Sequence, residues 1–208
     1  MAMTAEQTRA FYPAWAERFA AEREALIALD GKVGDSDLGI TMSKGFAAAR
    51  DAVAALEEAT IAGQMKAAGA ALAKAAPSTM GTLMATGFLR GFKALEGAEQ
   101  FGTPEAATFW RAYAEGVAQR GKAQLGDKTV LDVLDPIAAA LEASGSPLPQ
   151  ALDEAVTAAA AALEATKDMV AQHGKAAAFQ EKSRGLPDAG GTVAVMLVEV
   201  MRDVAHRP

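Results

Sequence analysis

The sequence is constrained most strongly by an amphipathic pattern of helical period that runs, with few interruptions, from one end to the other. No segment alternates apolar and polar residues at period two, and no pair of segments has the pattern of a hairpin, so a sheet is not expected. Alanine is very frequent, as in the run AAAAALEA at 158–165. Because alanine favours helix most strongly and small side chains let helices approach closely, the pattern predicts an all-α fold.

The pattern predicts about eight helices, and the connections between them are mostly short. Short connections favour antiparallel neighbours in a bundle or closed barrel. Thr4 with Gln7 predicts a capping box, and Thr103 before Pro104 predicts an N-cap followed by proline at the first helical position. No linker divides the 208 residues, so one domain over 1–208 is expected. The predicted helices span about 4–28, 38–57, 61–75, 80–94, 104–120, 128–143, 148–171 and 190–205.

Charge and composition exclude several functional classes. The net charge is −6 and no basic stripe is present, so nucleic acid is not an expected partner. No apolar run approaches roughly 18 residues and the N-terminus lacks a signal-peptide core, so we expect no membrane segment and a cytoplasmic location. The absence of cysteine excludes a thiolate nucleophile and a zinc–thiolate site.

The segment GDSDLG at 34–39 carries the most chemistry. Asp30, Asp35 and Asp37 fall within eight residues, on a glycine-broken turn between two predicted helices. Carboxylates this close repel one another unless a cation lies among them, and oxygen ligands suit magnesium or calcium. The alternative is a turn in which the aspartates only cap a helix.

An EF-hand does not fit this segment. With Asp35 at the first position of the loop, glycine and glutamate would be required where Ile40 and Phe46 stand. A helix is predicted to begin near Leu38 instead, and a helix N-terminus offers free N–H groups and partial positive charge. Carboxylate-held metal beside such a terminus is suited to the phosphates of a nucleotide.

Two later segments have similar features. APSTMGTLMATGF at 76–88 places Ser78 and Thr79 at a predicted helix start, where they can meet a phosphate or simply cap the helix. GKAQLGDKTVLDVLDP at 121–136 contains a Gly126-Asp127 turn before another helix, which can form an adenine or ribose wall or be an ordinary capped start.

A long polar connection, QHGKAAAFQEKSRGLPDA, occupies 172–189. Long loops in compact helical domains often bind ligands. The chain has only two histidines, His173 in this loop and His206 near the C-terminus. Both are interpreted as surface residues rather than catalytic ones.

Taken together, these segments resemble the L subunit of dihydroxyacetone kinase, the nucleotide-binding or DAK2 domain family. The resemblance rests on LDGKVGDSDLGITM, PSTMGTLM, GDKTVLDVLDP and HGKAAAFQEKSRGLPDAGG, whose order and spacing agree with the family from about residue 25 onward. It implies a closed barrel of eight antiparallel helices with ADP or ATP at one end.

The resemblance also implies the residues of the site. Two magnesium ions would be held by Asp30, Asp35 and Asp37, which with Lys175 would be the catalytic residues. Nucleotide contacts are implied, in chain order, for Leu38, Gly39, Ile40, Thr41, Ser78, Thr79, Gly121, Leu125, Gly126, Thr129, Val130, Lys175, Asp188 and Gly190. The chain departs from the family pattern at Ser36, where glycine is usual, and at Lys175, where arginine is usual. It also departs from the pattern at Leu38, Thr41, Thr79 and Ala189.

The activity implied by the resemblance is phosphoryl transfer to dihydroxyacetone or a related small ketose such as a tetrulose. The sugar would be held on a separate K subunit, covalently through a histidine of that subunit. The donor is either exchanging ATP or a bound ADP that is recharged by a phosphotransferase-system protein, and the sequence does not decide between them. A homodimer is also compatible with the sequence.

Three alternatives remain at the level of the sequence. The first is a regulatory or adaptor subunit that binds ADP and magnesium without transferring phosphate, which the substitutions at Leu38, Thr79 and Lys175 make credible. The second is the related nucleotide domain of fatty-acid kinases, which is normally fused to further domains. The third is a helical barrel with an apolar ligand inside.

Overall fold

The structure is a computed structural model that describes residues 2–58 and 60–207. It is almost entirely helical, as predicted. The helices are α1 (Ala5–Thr8), α2 (Phe11–Ala21), α3 (Arg23–Asp30), α4 (Leu38–Ala54), α5 (Ile61–Ala75), α6 (Thr79–Ala94), α7 (Thr103–Gly121), α8 (Leu131–Ala143), α9 (Leu148–Ala165) and α10 (Ala189–Ala205). Two 3₁₀ segments, Thr166–Asp168 and Lys175–Ser183, and two short strands, β1 (Met3–Thr4) and β2 (Gln100–Phe101), complete it.

Eight of the helices form a closed ring. The order of packing is α2, α4, α5, α6, α7, α8, α9, α10 and back to α2, while the shorter α3 packs on α4. Successive helices in the ring run antiparallel. The predicted barrel of about eight antiparallel amphipathic helices is therefore confirmed.

The helix predicted over 4–28 is in fact three helices. The capping box is present, because Gln7 N donates to Thr4 Oγ1 at 3.2 Å and Thr4 N donates to Gln7 Oε1 at 2.8 Å. Pro13 explains the first break. It has no N–H, and only the first turn of a helix can lack one without loss of a hydrogen bond. A new helix, α2, therefore begins at Phe11, with Pro13 in its first turn. The second break is at Glu22, whose φ and ψ are −88° and 5°.

Two further expectations near the chain's start and middle need correction. The strands β1 and β2 pair antiparallel, with Met3 opposite Phe101, so a minimal two-residue ladder exists where no sheet was expected. Thr103 is the first residue of α7 rather than its N-cap. Its hydroxyl donates to Ser146 O at 2.8 Å, and the cap position is taken by Gly102, whose N–H donates to the Glu105 carboxylate at 2.8 Å.

Two predicted helices are shorter than expected at the end that borders the loops. The helix predicted from 128 begins at Leu131, because Lys128 has φ +57°, in the left-handed region. The helix predicted to reach 171 ends at Ala165 and passes into 3₁₀ structure. There Thr166 Oγ1 donates back to Leu163 O at 2.6 Å and accepts from Asp188 N at 2.9 Å.

The interior of the ring is aromatic. The Phe88 ring lies 5.5 Å from the Trp15 ring, 6.0 Å from Phe46, 5.9 Å from Phe109 and 5.6 Å from Tyr113, centroid to centroid. All five side chains are buried. Pairs at these separations are stabilising beyond the apolar area that they bury. This cluster fixes α4, α6 and α7, whose ends form the site, relative to one another.

Among the described residues, no helix is both long enough and apolar enough to cross a membrane.

Candidate functional site

Several helix ends meet at one end of the barrel and border two neighbouring clefts. The inner cleft, about 290 Å³, is lined by the first residues of α4, α6 and α10, which are Leu38, Thr79 and Ala189. The outer cleft, about 850 Å³, reaches Gly121 at the end of α7. Thr79 and Lys175 are among the residues that line both clefts, so the two form one groove.

Three segments bound this groove. They are the aspartate turn (31–37) before α4, the glycine turn (122–130) between α7 and α8, and the late loop (169–188) before α10.

The aspartate turn brings three carboxylates together. One oxygen from each of Asp30, Asp35 and Asp37 lies within 4.8 Å of the others. Asp30 Oδ2 also accepts from Asp37 N at 3.0 Å and from Leu38 N at 3.4 Å, so it caps the start of α4. Because Asp30 supplies the cap, Asp37 makes no side-chain cap of its own, and its carboxylate can face the groove.

Local backbone geometry explains this convergence. A β-carbon at Gly34 would lie 2.1 Å from Asp30 Oδ1, so only glycine leaves room for that carboxylate. Ser36 has φ +63°, in the left-handed region that costs a non-glycine residue about 1–3 kcal/mol. The family pattern has glycine at the Ser36 position, so the turn keeps its shape here at some cost in strain.

The cluster is suited to a hard divalent cation. Burial, and secondly the charge of Asp30, raise the pKa of Asp37 above its usual value. A cation among the three carboxylates would relieve this repulsion, and carboxylate oxygens are the donors that magnesium prefers. The Lys175 ammonium, from the late loop, forms an ion pair with Asp35, so it already supplies one positive charge at the edge of the cluster.

The start of α6 forms the opposite wall. Ser78 Oγ accepts from Gly81 N at 3.1 Å, so Ser78 is the N-cap, as one of the two interpretations held. Thr79 and Ser78 both line the outer cleft, together with Arg120. Sequence reasoning missed Arg120, although its place at the end of α7, next to Gly121, is a signal for it.

The glycine turn is held by a buried carboxylate that sequence reasoning also missed. Asp132 Oδ1 accepts from Gly126 N at 2.6 Å and Oδ2 accepts from Thr129 N at 2.7 Å. An aspartate three residues after Thr129, in the first turn of α8, is the signal that could have found it. Leu125 is 60% exposed at the tip of this turn.

Some of the residues implied by the resemblance lie away from the cleft walls. In the described part of the chain, the lining of the two clefts does not include Gly39, Ile40, Thr41, Leu125, Gly126, Thr129 or Val130. A β-carbon at Gly39 would lie 2.1 Å from Arg23 O, so this glycine lets α3 and α4 pack closely. A β-carbon at Gly190 would lie 3.1 Å from that of Val130, so Val130 packs behind the start of α10.

The late loop contributes Lys175 and Asp188 to the inner cleft, and the start of α10 contributes Gly190. Asp188 Oδ2 accepts from Gly191 N at 2.6 Å and so caps α10. The pKa of Asp188 is raised to about 7, chiefly by burial and also by the charge of Asp132, while the amide hydrogen bonds and the Lys128 ammonium oppose the shift.

His173 lies in the late loop with its side chain 37% exposed, which agrees with its interpretation as a surface residue, and it is paired there. Its Nε2 lies 2.9 Å from Asp127 Oδ2, and His173 lines the inner cleft. The amide of Gln124 first, and then His173, hold the pKa of Asp127 below its usual value. The late loop and the glycine turn are therefore joined by a hydrogen-bonded pair.

Fold and sequence together define the class: the chain belongs to the DAK2 domain family, whose family model matches residues 32–203. Within it, the chain is 32% identical, over 186 residues, to the ADP-binding subunit DhaL of the PEP-dependent dihydroxyacetone kinase of Escherichia coli K12. That alignment covers 88% of this chain and 89% of the relative.

Some other relatives are longer. The chain is 36% identical over 201 residues to the D-erythrulose kinase of Mycolicibacterium smegmatis, which covers 92% of this chain and 34% of the kinase. The crystal structure of the dihydroxyacetone kinase from C. freundii in complex with AMP-PNP and Mg²⁺ superimposes with a TM-score of 0.73 at 23% identity. The match covers 98% of this chain and about a third, 34%, of that one, and at this identity it establishes the fold.

Proposed function

We propose that this chain is the nucleotide- and magnesium-binding subunit of a kinase for dihydroxyacetone or a related small ketose. The observation that carries the proposal is the convergence of Asp30, Asp35 and Asp37 at the start of α4, in a groove that the starts of α6 and α10 also line. Helix N-termini attract anions, and carboxylate-held metal bridges the phosphates of a nucleotide to the protein. The names of the similar proteins support the same chemistry.

In this proposal each wall of the groove has a role. The three aspartates hold two magnesium ions, which supply charge neutralisation of the transferring phosphoryl group when bound. The starts of α4 and α6 bind the phosphates, the glycine turn lines the nucleoside, and the late loop closes the groove. Lys175 places a positive charge beside Asp35, although a lysine lacks the planar fork of the arginine usual in the family.

The sugar itself is proposed to reside on a separate K subunit. His173 is paired with Asp127, and His206 lies 3.0 Å from the Asp153 carboxylate, on the exposed surface. The sequence has no other histidine, and we assign neither of these two to covalent anchoring of a ketose. ATP and a phosphotransferase-system protein are the two candidate donors.

Reconstituted transfer tests this proposal. The purified chain is combined with a dihydroxyacetone-binding K subunit, magnesium and either ATP or ADP with the phosphorylated donor protein, and ketose phosphate is measured with dihydroxyacetone and erythrulose. We expect product only when this chain, the K subunit and one of the donors are all present. Absence of product with every donor and ketose, under conditions where a characterised L subunit is active, would refute the kinase role.

A second candidate is an adaptor that binds ADP and magnesium without transferring phosphate. The departures from the family pattern at Leu38, Thr79 and Lys175 favour it, because these residues line the inner cleft while all three aspartates are retained. The reconstitution separates the two: an adaptor binds ADP–magnesium and a partner protein but gives no ketose phosphate.

A further inference from the structure

A buried lysine of the glycine turn, Lys128, lies beneath the late loop and also lines the inner cleft, and the proposed function gives it no role of its own. Lys128 is 3% exposed. Its φ of +57° is in the left-handed region, and Asp132 holds the nearby amides of Gly126 and Thr129. The backbone is thus fixed on both sides of Lys128 while its side chain passes under the late loop.

The Lys128 ammonium is fully satisfied by carbonyl oxygens of that loop. Nζ donates to Met169 O at 3.2 Å, to Ser183 O at 2.5 Å and to Leu186 O at 2.8 Å. An ammonium has three N–H donors, and these three acceptors account for all of them. Hydrogen bonds from a charged donor are stronger than those between neutral groups.

The three acceptors are spread over the whole loop. Met169 lies before the second 3₁₀ segment, Lys175–Ser183. Ser183 is the last residue of that segment, and Leu186 follows it. One cation therefore ties together the entry and the exit of the loop, 41 and 58 residues away from it in sequence. Smaller contacts support the closure: Ala171 N donates to Ser183 Oγ at 3.0 Å and Gly185 N donates to Lys167 O at 2.7 Å.

The charges around Lys128 are compatible with its being a cation. Burial lowers the pKa of Lys128 from its usual value and the charge of Arg184 lowers it too, while the charge of Asp188 opposes the shift. A buried ammonium is tolerated when its donors are hydrogen-bonded, and the three carbonyl acceptors meet that condition here.

We propose that Lys128 is a positioning residue that holds the late loop closed, and that it thereby places Lys175 at the aspartate cluster. Lys128 fixes both ends of the loop, and Lys175, within the loop, forms an ion pair with Asp35. The part of this inference that concerns ligands rests on the proposed function, whereas the closure of the loop does not.

The test compares Lys128→Met with Lys182→Met, an exposed lysine of the same loop, so that charge and side-chain type change alike. Hydrogen exchange is measured without ligand at Ala171 and Gly185. We expect these amides to be protected in the unaltered chain and to exchange at least about tenfold faster in Lys128→Met, with Lys182→Met unchanged. Unprotected amides in the unaltered chain would overturn the proposal even if Lys128→Met does not fold.

ADP–magnesium affinity is then measured by calorimetry for Lys128→Met, Lys175→Met and the double variant, below the melting temperature of each. We expect Lys128→Met to weaken binding on the order of tenfold, and by less than about threefold when Lys175 is already methionine, because both act through one path. Equal losses in the two backgrounds, or no loss at all, would refute positioning through Lys175. If the unaltered chain does not bind ADP, the proposed function fails, while the exchange data still decide whether Lys128 closes the loop.

Discussion

The same helices form the middle of the barrel and its loop-bounded end, but their surroundings differ. The middle is buried and aromatic, whereas the end is charged. In the middle, Phe88 is 1% exposed and packs among aromatic rings, with helical backbone throughout. At the end, charged groups are close together and the backbone is strained: all four non-glycine residues with positive φ in the described part of the chain, Ser36, Lys122, Lys128 and Gln180, lie in the three segments around the groove.

This difference indicates how stability and function are divided. Close-packed rings stabilise the barrel strongly, so the end of the barrel can tolerate like charges and strained turns without unfolding. Strain of this kind concentrates where a ligand is bound. We therefore expect substitutions in the middle to change stability with little effect on ligand affinity, and substitutions at the end to do the reverse.

The largest expected effect is that of Phe88→Ala. Removal of this ring should lower the free energy of unfolding by about 3–5 kcal/mol, because it leaves a cavity at the centre of the aromatic cluster. Denaturant unfolding measures it, and Phe179→Ala, at a ring that is 38% exposed, is the matched control with a small expected loss. A marked loss of ADP affinity in the folded Phe88→Ala protein would break the proposed division.

The next effect is that of Lys175→Met on ligand affinity. The Lys175 side chain is 63% exposed, so its ion pair should contribute less than about 1 kcal/mol to stability. Magnesium-dependent ADP affinity should fall about tenfold, since a positive charge near the phosphates is lost. Calorimetry and thermal melting measure the two quantities, and Lys175→Arg should retain most of the affinity. If Lys175→Met melts at a far lower temperature but binds ADP normally, Lys175 serves stability rather than ligand binding, which is the reverse of our assignment.

A pH effect is expected at Asp188. Its folded-state pKa of about 7 is above that of an unfolded aspartate, about 4. The folded protein therefore holds a proton that the unfolded chain loses, and this contribution to stability is complete below about pH 4 and is lost as the pH rises to about 7. Asp188→Asn cannot ionise, so the difference between its melting temperature and that of the unaltered chain should shift in favour of the variant as the pH rises from 4 to 8. A constant difference across this range would contradict the assignment.

The smallest effect is expected at Ser36. Glycine adopts positive φ without strain, so Ser36→Gly should stabilise the protein by about 0.5–1 kcal/mol after the added freedom of the unfolded chain is counted. Ser36→Ala keeps the strain and should bring no such gain. If both variants are equally stable, the aspartate turn is less strained than the comparison between the two regions requires.

The sequence predicted the barrel well because helical period and short connections are local properties. The three aspartates were also visible, since they lie within one turn. The errors arose where a single residue redirects the backbone: Pro13 divides the first predicted helix, and the left-handed Lys128 delays the start of α8.

The internal support of the site was not predictable in the same way. Lys128 binds carbonyl groups that belong to no side-chain pattern and lie far away in sequence. His173 and Asp127, 46 residues apart, form a pair that only the fold brings together. Such contacts depend on tertiary structure, whereas Asp132 could have been recognised from its position in the first turn of α8. The individual nucleotide contacts implied by the resemblance remain predictions.

The most direct test of the central claim is a calorimetric titration with ADP, with and without magnesium, of the unaltered chain, Asp35→Asn and Asp51→Asn. Asp51 is an exposed aspartate of α4 that pairs with Arg50 and lies outside the cluster, so it controls for the loss of one carboxylate. We predict magnesium-dependent binding by the unaltered chain and by Asp51→Asn, and none by Asp35→Asn. Binding that does not require magnesium, or that survives in Asp35→Asn, would contradict the account.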